Sequence, residues 1–270
     1  MTKKIKNKKI GLVLGSGGSK GLAHIGVIKA LKKKNINIDY IAGSSIGALI
    51  SAYFAMHNDI NKLEKIFLQH DWKTGLSIID PSFNGGLVKG EKLGKLVKEI
   101  IGDFKFNETK IPLAITATDL ITGNSIIFKD GNIIKAVRAS MSVPIIFQPI
   151  EYEDKLLADG GLSNPLPVDI IKSMGANFVI AVNLDNQFFN SNDLNLKKKS
   201  LPKISIRSLN ILRHHLSQYN FKKADIAIEP NVGEIGLVGW NKFMDNKQAK
   251  EIIKIGEDAT NIILKKYDKN

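Results

Sequence analysis

The 270-residue sequence predicts an α/β fold in which a mostly parallel central sheet is covered by helices. Two segments, residues 9–34 and 38–54, repeat the order of a short apolar run, a glycine-rich loop and a helical pattern. A third segment, residues 178–184, is hydrophobic except for Asn183, as is typical of a strand buried on both faces. Hydrophobic residues make up 43% of the chain and charged residues 24%, so a core of ordinary size can form.

The spacing of hydrophobic residues, and the glycine, proline and lysine residues at the ends of segments, define the elements of the first half. The first strand covers residues 9–15, and the helix at 21–34 ends in three lysines, whose charge favours a helix C-terminus. The second strand covers residues 38–42. The further predicted elements are a helix after Gly47, helices at 60–69 and 89–101, a strand at 111–118 with a hairpin partner at 123–129, and a helix at 133–141. The stretch 74–86 contains Gly and Pro and is interpreted as a lid or mobile loop.

The second half continues the alternation and then becomes polar. The predicted elements are a strand at 155–158, a helix ending at Met174, the strand at 178–184, a polar linker at 185–202, a helix at 205–220, a strand at 225–228 and a helix at 247–265. We divide the chain into a catalytic core at residues 8–185 and a C-terminal segment at 186–270. We expect this segment to pack on the core and not to form an independent domain.

Composition limits the partners and the compartment. The absence of cysteine excludes disulfides, thiolate zinc sites and a cysteine nucleophile. The basic start of the chain lacks the apolar stretch of a signal peptide, and no run approaches the ~18 apolar residues that span a bilayer. We therefore expect a cytoplasmic protein in which any membrane contact is peripheral. The net charge of +13 favours anionic membrane surfaces, although evenly spread lysines are equally typical of a compositional bias. We expect no nucleic-acid partner, because aromatic residues are only 7% of the chain.

The sharpest local motif is G-x-S-x-G at residues 43–47, between a predicted strand and a predicted helix. A strand that turns abruptly into a helix holds the central serine, Ser45, in a strained conformation, and flanking glycines avoid collisions there. The helix that follows directs its first amides toward developing negative charge. The motif therefore predicts a nucleophilic serine, with chance packing of small residues as the alternative.

A second glycine-rich loop, residues 15–21, also joins a strand to a helix and leaves backbone N–H groups uncovered for an oxyanion or a phosphate. It is not a Walker loop, because no Ser or Thr follows its lysine, and it departs from the dinucleotide fingerprint at the last position. If both loops follow adjacent parallel strands, they open at the same sheet edge. Gly17 and Gly18 are then candidate oxyanion donors for Ser45. Lys20 is a candidate contact for a phosphate or another anion, with a solvated lysine as the alternative.

Two kinds of general base are open to the serine. The chain order allows a triad of Ser45, Asp159 and either His214 or His215, but these histidines fall on a predicted helix and not on a loop at a strand end. Asp159 ends a short predicted strand and precedes two glycines, which let another loop approach closely. A hairpin turn is the alternative role, since Asp-Gly is frequent in such turns.

Three motifs, in this order, resemble those of patatin-like phospholipases, and the resemblance extends over residues 9–184. The resembling segments are the glycine-rich oxyanion segment at 15–28, the nucleophile motif at 43–47, the D-G-G motif at 159–161, and the stretches 138–144 and 162–167. The chain resembles the bacterial branch related to the catalytic domain of neuropathy target esterase. Ser16 departs from the glycine usual in the family, although a serine keeps the backbone N–H.

The resemblance implies a three-layer core and a Ser45–Asp159 dyad that works without a histidine, a metal or a cofactor. A desolvated aspartate beside a serine can take its proton and return it to the leaving alcohol. The implied activity is hydrolysis of acyl esters of phospholipids, lysophospholipids or simpler esters through an acyl-enzyme. Two alternatives from other classes are a nucleotide- or phosphate-binding protein that uses the loop at 15–21 and a catalytically silent lipid-binding scaffold.

Overall fold

A computed structural model describes residues 5, 7–69, 88–186, 200–232 and 246–269 of the chain. Within these ranges the strands are β1 (Ile10–Leu14), β2 (Tyr40–Ser44), β3 (Leu113–Asp119), β4 (Ser125–Phe128), β5 (Ile150–Tyr152), β6 (Lys155–Asp159), β7 (Phe178–Val182) and β8 (Ile226–Ile228). The helices are α1 (Leu22–Lys33), α2 (Ile46–His57), α3 (Ile60–Gln69), α4 (Glu91–Ile101), α5 (Ile133–Ser140), α6 (Val168–Ser173), α7 (Leu201–Phe221) and α8 (Asn246–Lys269). Short 3₁₀ turns lie at Gly18–Gly21, Phe106–Glu108 and Gly160–Leu162.

The strands form one eight-stranded sheet, of which β3, β2, β1, β7 and β8 are parallel neighbours in that order. Strands β4 and β6 pair with β3 in the antiparallel sense, and β5 pairs with β6. Alternate residues of β1 face two separate hydrophobic clusters: Leu12 packs with residues of α1, α2 and α8, and Val13 packs with residues of α6. The predicted α/β fold, a mostly parallel sheet between helical layers, is confirmed.

Strand β3 brings the ends of β2 and β6 together. Strands β2 and β4 both pair with Ile115 and Thr116, so they lie on opposite edges of β3. Strands β4 and β6 both pair with Ala117 and Thr118, so they too lie on opposite edges. It follows that β2 and β6 share one edge of β3 and meet there with their carboxyl ends, because β2 is parallel to β3 and β6 is antiparallel to it.

Helix α8 packs against α1 through two glycines. A Cβ on Gly26 of α1 would overlap the carbonyl oxygen of Ile253, and a Cβ on Gly256 of α8 would overlap that of Ala23. The two backbones therefore approach each other more closely than helices with side chains at these positions could. The last described helix thus covers the outer face of the helix that follows the glycine-rich loop.

Several boundaries differ from the sequence predictions for physical reasons. Strand β2 spans Tyr40–Ser44 and not 38–42, because Asp39 is used at the strand start, where its carboxylate accepts a hydrogen bond from the Ile10 N–H. Helix α7 begins at Leu201 and not at 205, because a proline fits the first turn of a helix. Strand β5 was not predicted. The predicted lid at 74–86 lies outside the described residues.

None of the described helices combines the length and hydrophobicity that a bilayer crossing requires.

Candidate active site

Ser45 lies at the sharp turn between β2 and α2. Its backbone has φ 55° and ψ −124°, a conformation that costs a residue with a side chain on the order of 1–3 kcal/mol. A Cβ on Gly43 would overlap the carbonyl of Gly47, and a Cβ on Gly47 would overlap the carbonyl of Leu14. The two glycines of the G-x-S-x-G motif are therefore required by close backbone contact, and the turn presents the serine hydroxyl at the carboxyl edge of the sheet.

The Ser45 hydroxyl donates a hydrogen bond to Asp159, with 2.6 Å between Oγ and Oδ2. Both residues are buried, with exposed fractions of 4% and 3%. The backbone N–H of Ser45 donates to the hydroxyl of Ser140 at 2.8 Å, so Ser140 fixes the turn from the end of α5. The structure thus joins a serine and an aspartate that are separated by 114 residues in the chain.

Hydrogen bonds to Thr118 of β3 and to Ser142, just after α5, place Asp159 opposite the serine. The Asp159 N–H donates to the carbonyl of Ser142 (3.0 Å), and the Asp159 carbonyl accepts from the Thr118 hydroxyl (2.8 Å). A Cβ on Gly160 would overlap the Thr116 carbonyl and would lie 2.8 Å from the Ser44 hydroxyl. The first glycine of the D-G-G motif is required because the strand ends of β2 and β6 meet at this point.

The pKa of the Asp159 carboxyl is raised toward neutral pH. Burial raises its pKa from 3.8 to about 6, because desolvation disfavours the charged form. The hydrogen bond from Ser45, the nearby Arg213 and the hydrogen bond from the Gly161 N–H to Oδ1 (2.7 Å) lower the pKa, and Asp185 raises it. At neutral pH the carboxylate is ionised and yet basic enough to accept a proton from an alcohol in a reaction.

The glycine-rich loop lies directly beside the Ser45 turn. Its last glycine, Gly21, is so close to Ile46 that a Cβ there would overlap that side chain. The N–H groups of Gly17 and Gly18 donate to no acceptor within the described ranges, whereas the preceding Ser16 N–H donates to a backbone carbonyl. Gly18 has φ +56° and is partly exposed, unlike the buried residues on either side of it. The loop therefore offers backbone amides next to the serine.

Lys20 is buried in the 3₁₀ turn and is 1% exposed, so the alternative of a solvated lysine is wrong. Burial lowers its pKa from 10.5 to about 8. The negative charge of Asp185 opposes this shift, and the positive charges of Arg213 and Arg207 add to it. Lys20 belongs to a group of buried and half-buried charges behind the glycine loop.

A buried ion pair beside the site was missed by the sequence reasoning. Arg213 of α7 contacts both carboxylate oxygens of Asp185 at 2.7–2.9 Å, and the Ser16 hydroxyl donates to the same carboxylate at 3.0 Å. A signal was available, because nearly all positive charge in the chain is lysine and arginine occurs only at positions 138, 207 and 213. Arginine is the cation that suits a buried, bidentate carboxylate pair.

The histidines do not form a triad with the serine. The His214 Nδ1 is hydrogen-bonded to the backbone carbonyl of Asp185 (2.8 Å), and His215 is exposed on α7. The buried His24 is hydrogen-bonded through Nε2 to the Gly15 carbonyl (2.8 Å), and burial lowers its pKa to about 4. The alternative triad with His214 or His215 is therefore wrong, since the partner of the Ser45 hydroxyl is the carboxylate.

A cavity of ≈ 60 Å³ opens next to the carboxylate of Asp159. Its polar lining comes from Asp159, Asn210 and Arg213, and Gly161 lines it too. The remaining lining is apolar and consists of Val143, Pro144, Ile146, Leu162, Ile206, Leu209 and Leu212. Leu212 is 66% exposed, so the apolar lining continues onto the surface of α7.

The fold and this arrangement define the class of protein: an α/β protein in which a strained serine at a strand–helix turn faces a buried carboxylate. A model of the patatin-like phospholipase family matches residues 12–172, a range that includes both Ser45 and Asp159. The chain belongs to the patatin-like phospholipase family.

Known proteins are similar in sequence to this chain over part of their length. An uncharacterised NTE family protein of Mycobacterium tuberculosis is 38% identical over 180 residues, covering 66% of this chain and 49% of that protein. Patatin-like phospholipase domain-containing protein 6 of Homo sapiens is 32% identical over 186 residues, covering 66% of this chain and 13% of that protein. The chain thus spans half or less of the length of these relatives.

The crystal structure of VipD from Legionella pneumophila is similar in fold. Its TM-score is 0.54 at 15% sequence identity, and the superposition covers 96% of this chain and 67% of that one.

Proposed function

We propose that this chain hydrolyses carboxylic esters of lipids through an acyl-enzyme on Ser45, with Asp159 as the general base. The observation that carries the proposal is the 2.6 Å hydrogen bond from the Ser45 hydroxyl to a buried carboxylate of raised pKa. A hydroxyl is a weak nucleophile unless a neighbouring base takes its proton, and here the base is already in contact with it. Membership of the patatin-like phospholipase family supports this assignment.

The reaction follows from the positions of the two side chains. As the Ser45 Oγ attacks the ester carbonyl carbon, its proton passes to Asp159 Oδ2. The tetrahedral intermediate collapses with cleavage of the bond to the leaving alcohol, and Asp159 returns the proton to that oxygen. A water molecule then attacks the acyl-serine and gives its proton to Asp159. Release of the carboxylic acid returns the proton to Ser45, so the enzyme ends as it began.

Negative charge on the former carbonyl oxygen needs hydrogen-bond donors. We assign this role to the backbone N–H groups of Gly17 and Gly18, which have no acceptor among the described residues and lie in the loop packed on Ile46. The Ser45 N–H is not available, because it already donates to Ser140. Loss of one such donor typically costs roughly 10²–10³ in rate.

The surroundings of the dyad favour lipid esters as substrates. The cavity beside Asp159 is lined mainly by aliphatic side chains, and its lining continues to the exposed Leu212. An acyl chain gains about 0.8 kcal/mol for each methylene that it buries. Peripheral contact with an anionic membrane is part of the proposal and is supported by the net charge of +13. Lys20, a buried cation near the glycine loop, is a candidate contact for an anionic group of the substrate.

The alternative of a nucleotide- or phosphate-binding loop has less support. Apart from Gly18, residues 15–21 are buried, and the loop packs against Ile46, so a nucleotide has little access to the first turn of α1. The alternative of a silent lipid-binding scaffold does not explain why a strained serine contacts a buried carboxylate.

A fluorophosphonate probe tests the proposal directly. We expect the wild-type protein to be labelled at Ser45 and to release fatty acid from phospholipid or lysophospholipid vesicles. Ser45→Ala should abolish both, and Asp159→Asn should reduce both by several orders of magnitude. Ser51→Ala is a matched control, because Ser51 is a buried serine on α2. Equal labelling of wild type and Ser45→Ala would refute the proposal.

A further inference from the structure

Arg213 and Asp185 lie beyond residues 12–172, the range that the family model matches. Asp185 follows β7, and Arg213 is on α7. Both are buried, and their bidentate contact is 2.7 Å at its shortest. Removing two charges from water is costly, so a buried ion pair is weak evidence for a stabilising role. Its position suggests a role in the reaction instead.

Gly161 is the point at which the ion pair meets the dyad. A Cβ placed on this glycine would lie 2.8 Å from Asp159 Oδ1, 2.9 Å from Arg213 Cδ and 3.3 Å from the Ser16 Oγ. The three side chains therefore surround one small residue. The Arg213 side chain also lines the cavity that Asp159 lines.

The ion pair also reaches the glycine-rich loop. The Asp185 carboxylate accepts hydrogen bonds from Arg213 and from the Ser16 hydroxyl. Ser16 immediately precedes the two glycines whose amides we assign to the oxyanion. The side chain of Ser16 thus connects the loop to the ion pair.

We propose that Arg213, held by Asp185, is a positioning residue for ester hydrolysis, which fixes the carboxylate of Asp159 against Ser45 and connects the glycine loop to the same anchor. This inference rests on the proposed function and extends the site to helix α7. Arg213 acts through Asp159 and Ser16, and no contact with the reacting atoms is required of it.

The charges around Asp159 change its pKa, and this makes the proposal testable by the pH dependence of the reaction. Arg213 lowers the pKa of Asp159, and Asp185 raises it. Lys20 of the glycine loop interacts electrostatically with Asp185, with Arg213 and with Arg207 of α7. Among the other titratable groups nearby, Arg138 of α5 donates to backbone carbonyls and to Ser142, the buried His24 of α1 is uncharged at neutral pH, and His214 of α7 contacts the backbone of Asp185.

Substitutions of the two members of the ion pair should therefore shift the pH profile of the reaction in opposite directions. In Arg213→Met, the acidic limb of kcat/KM for a soluble aryl ester should move to higher pH, by on the order of one unit. In Asp185→Asn it should move to lower pH, because the uncompensated arginine favours the charged Asp159. Arg213→Lys keeps the charge and should restore the limb to near the wild-type position, with kcat only partly recovered. KM should change less than kcat in all three variants.

Lys29→Met provides a matched control. It breaks the ion pair between Lys29 of α1 and Glu64 of α3 (2.6 Å), which lies outside the site, and should leave the limb unchanged. Circular dichroism and thermal melting establish that each variant is folded. If Arg213→Met does not fold, the downward shift in Asp185→Asn and the restored limb in Arg213→Lys remain as tests.

Acidic limbs that shift in the same direction in the two variants, or that do not shift, would overturn the positioning role. The proposed hydrolase function would still stand if wild-type Ser45 is labelled. Wild-type protein that neither reacts with the fluorophosphonate nor hydrolyses the ester would overturn the proposed function itself.

Discussion

The raised pKa of Asp159 has a measurable cost in stability. The native state holds a proton on this carboxyl up to about pH 6, whereas the unfolded chain releases it near pH 3.8. Between these two values the native state binds more protons than the unfolded state, so its stability falls as the pH rises. Above about pH 6 the loss is complete. A shift of about two pKa units corresponds to roughly 3 kcal/mol, since one unit equals about 1.4 kcal/mol.

Replacing Asp159 with asparagine removes the buried charge and keeps the shape of the side chain. We expect Asp159→Asn to be more stable than the wild type by up to about 3 kcal/mol at pH 7.5, because the cost of ionisation is absent. The difference should shrink as the pH falls through about 6 and should vanish near pH 4. Urea denaturation of both proteins at several pH values, followed by circular dichroism, measures it.

Asp119→Asn is the matched control, because it carries the same substitution at the end of the neighbouring strand β3. Hydrogen bonds from the Thr122 hydroxyl and the Ile121 N–H lower the pKa of Asp119, so its ionised form stabilises the fold. Asp119→Asn should therefore be less stable than the wild type at neutral pH. An Asp159→Asn variant whose stability relative to the wild type does not change with pH would refute the argument that burial raises the pKa of this carboxyl.

Three further outcomes are expected from the geometry. In Gly47→Ala the new Cβ would overlap the Leu14 carbonyl, so fluorophosphonate labelling should fall at least tenfold even if circular dichroism shows a folded protein; normal labelling would contradict this. His24→Gln removes a buried imidazole whose pKa is about 4 in the native state and 6.5 in the unfolded chain. Urea titrations should therefore show the wild type losing stability relative to the variant as the pH falls from 6.5 to about 4. Parallel stability curves would count against this prediction. Arg138→Met removes the hydrogen bonds that this side chain donates to the carbonyls of Lys89 and Gly90. Urea denaturation should show a loss of roughly 2–4 kcal/mol, whereas a loss below about 0.5 kcal/mol would refute this account.

The parallel part of the fold was predictable because local signals repeat in it. Strands β1, β2 and β7 are short apolar runs that end before glycines or polar turns, and this pattern does not depend on distant contacts. Strand β5 has only three residues of half-buried or exposed character, and it exists because it pairs with β6. Tertiary pairing of this kind leaves no periodic signal in a short segment.

The site was predictable to the extent that its geometry is local. The Ser45 turn and the Asp159–Gly161 segment each require glycines at fixed offsets, and those offsets are visible in the sequence. The ion pair of Arg213 and Asp185 joins two residues that are 28 positions apart across a polar stretch, and no local rule connects them. The burial of Lys20 was also hidden, because a lysine at the start of a helix is usually solvated.

The glycine contact between α1 and α8 has a consequence for any shortened form of the protein. Removing residues 246–269 would expose the side of α1 that carries Gly26, together with apolar groups that Ile252 and Ile253 now cover. Because α1 begins at the end of the loop that holds Gly17 and Gly18, its loosening would reach the amides beside Ser45 without touching any residue of the dyad. A truncated protein could then retain an intact Ser45 and Asp159 and still turn over slowly, so expression boundaries chosen from the family match would remove part of what keeps the site rigid.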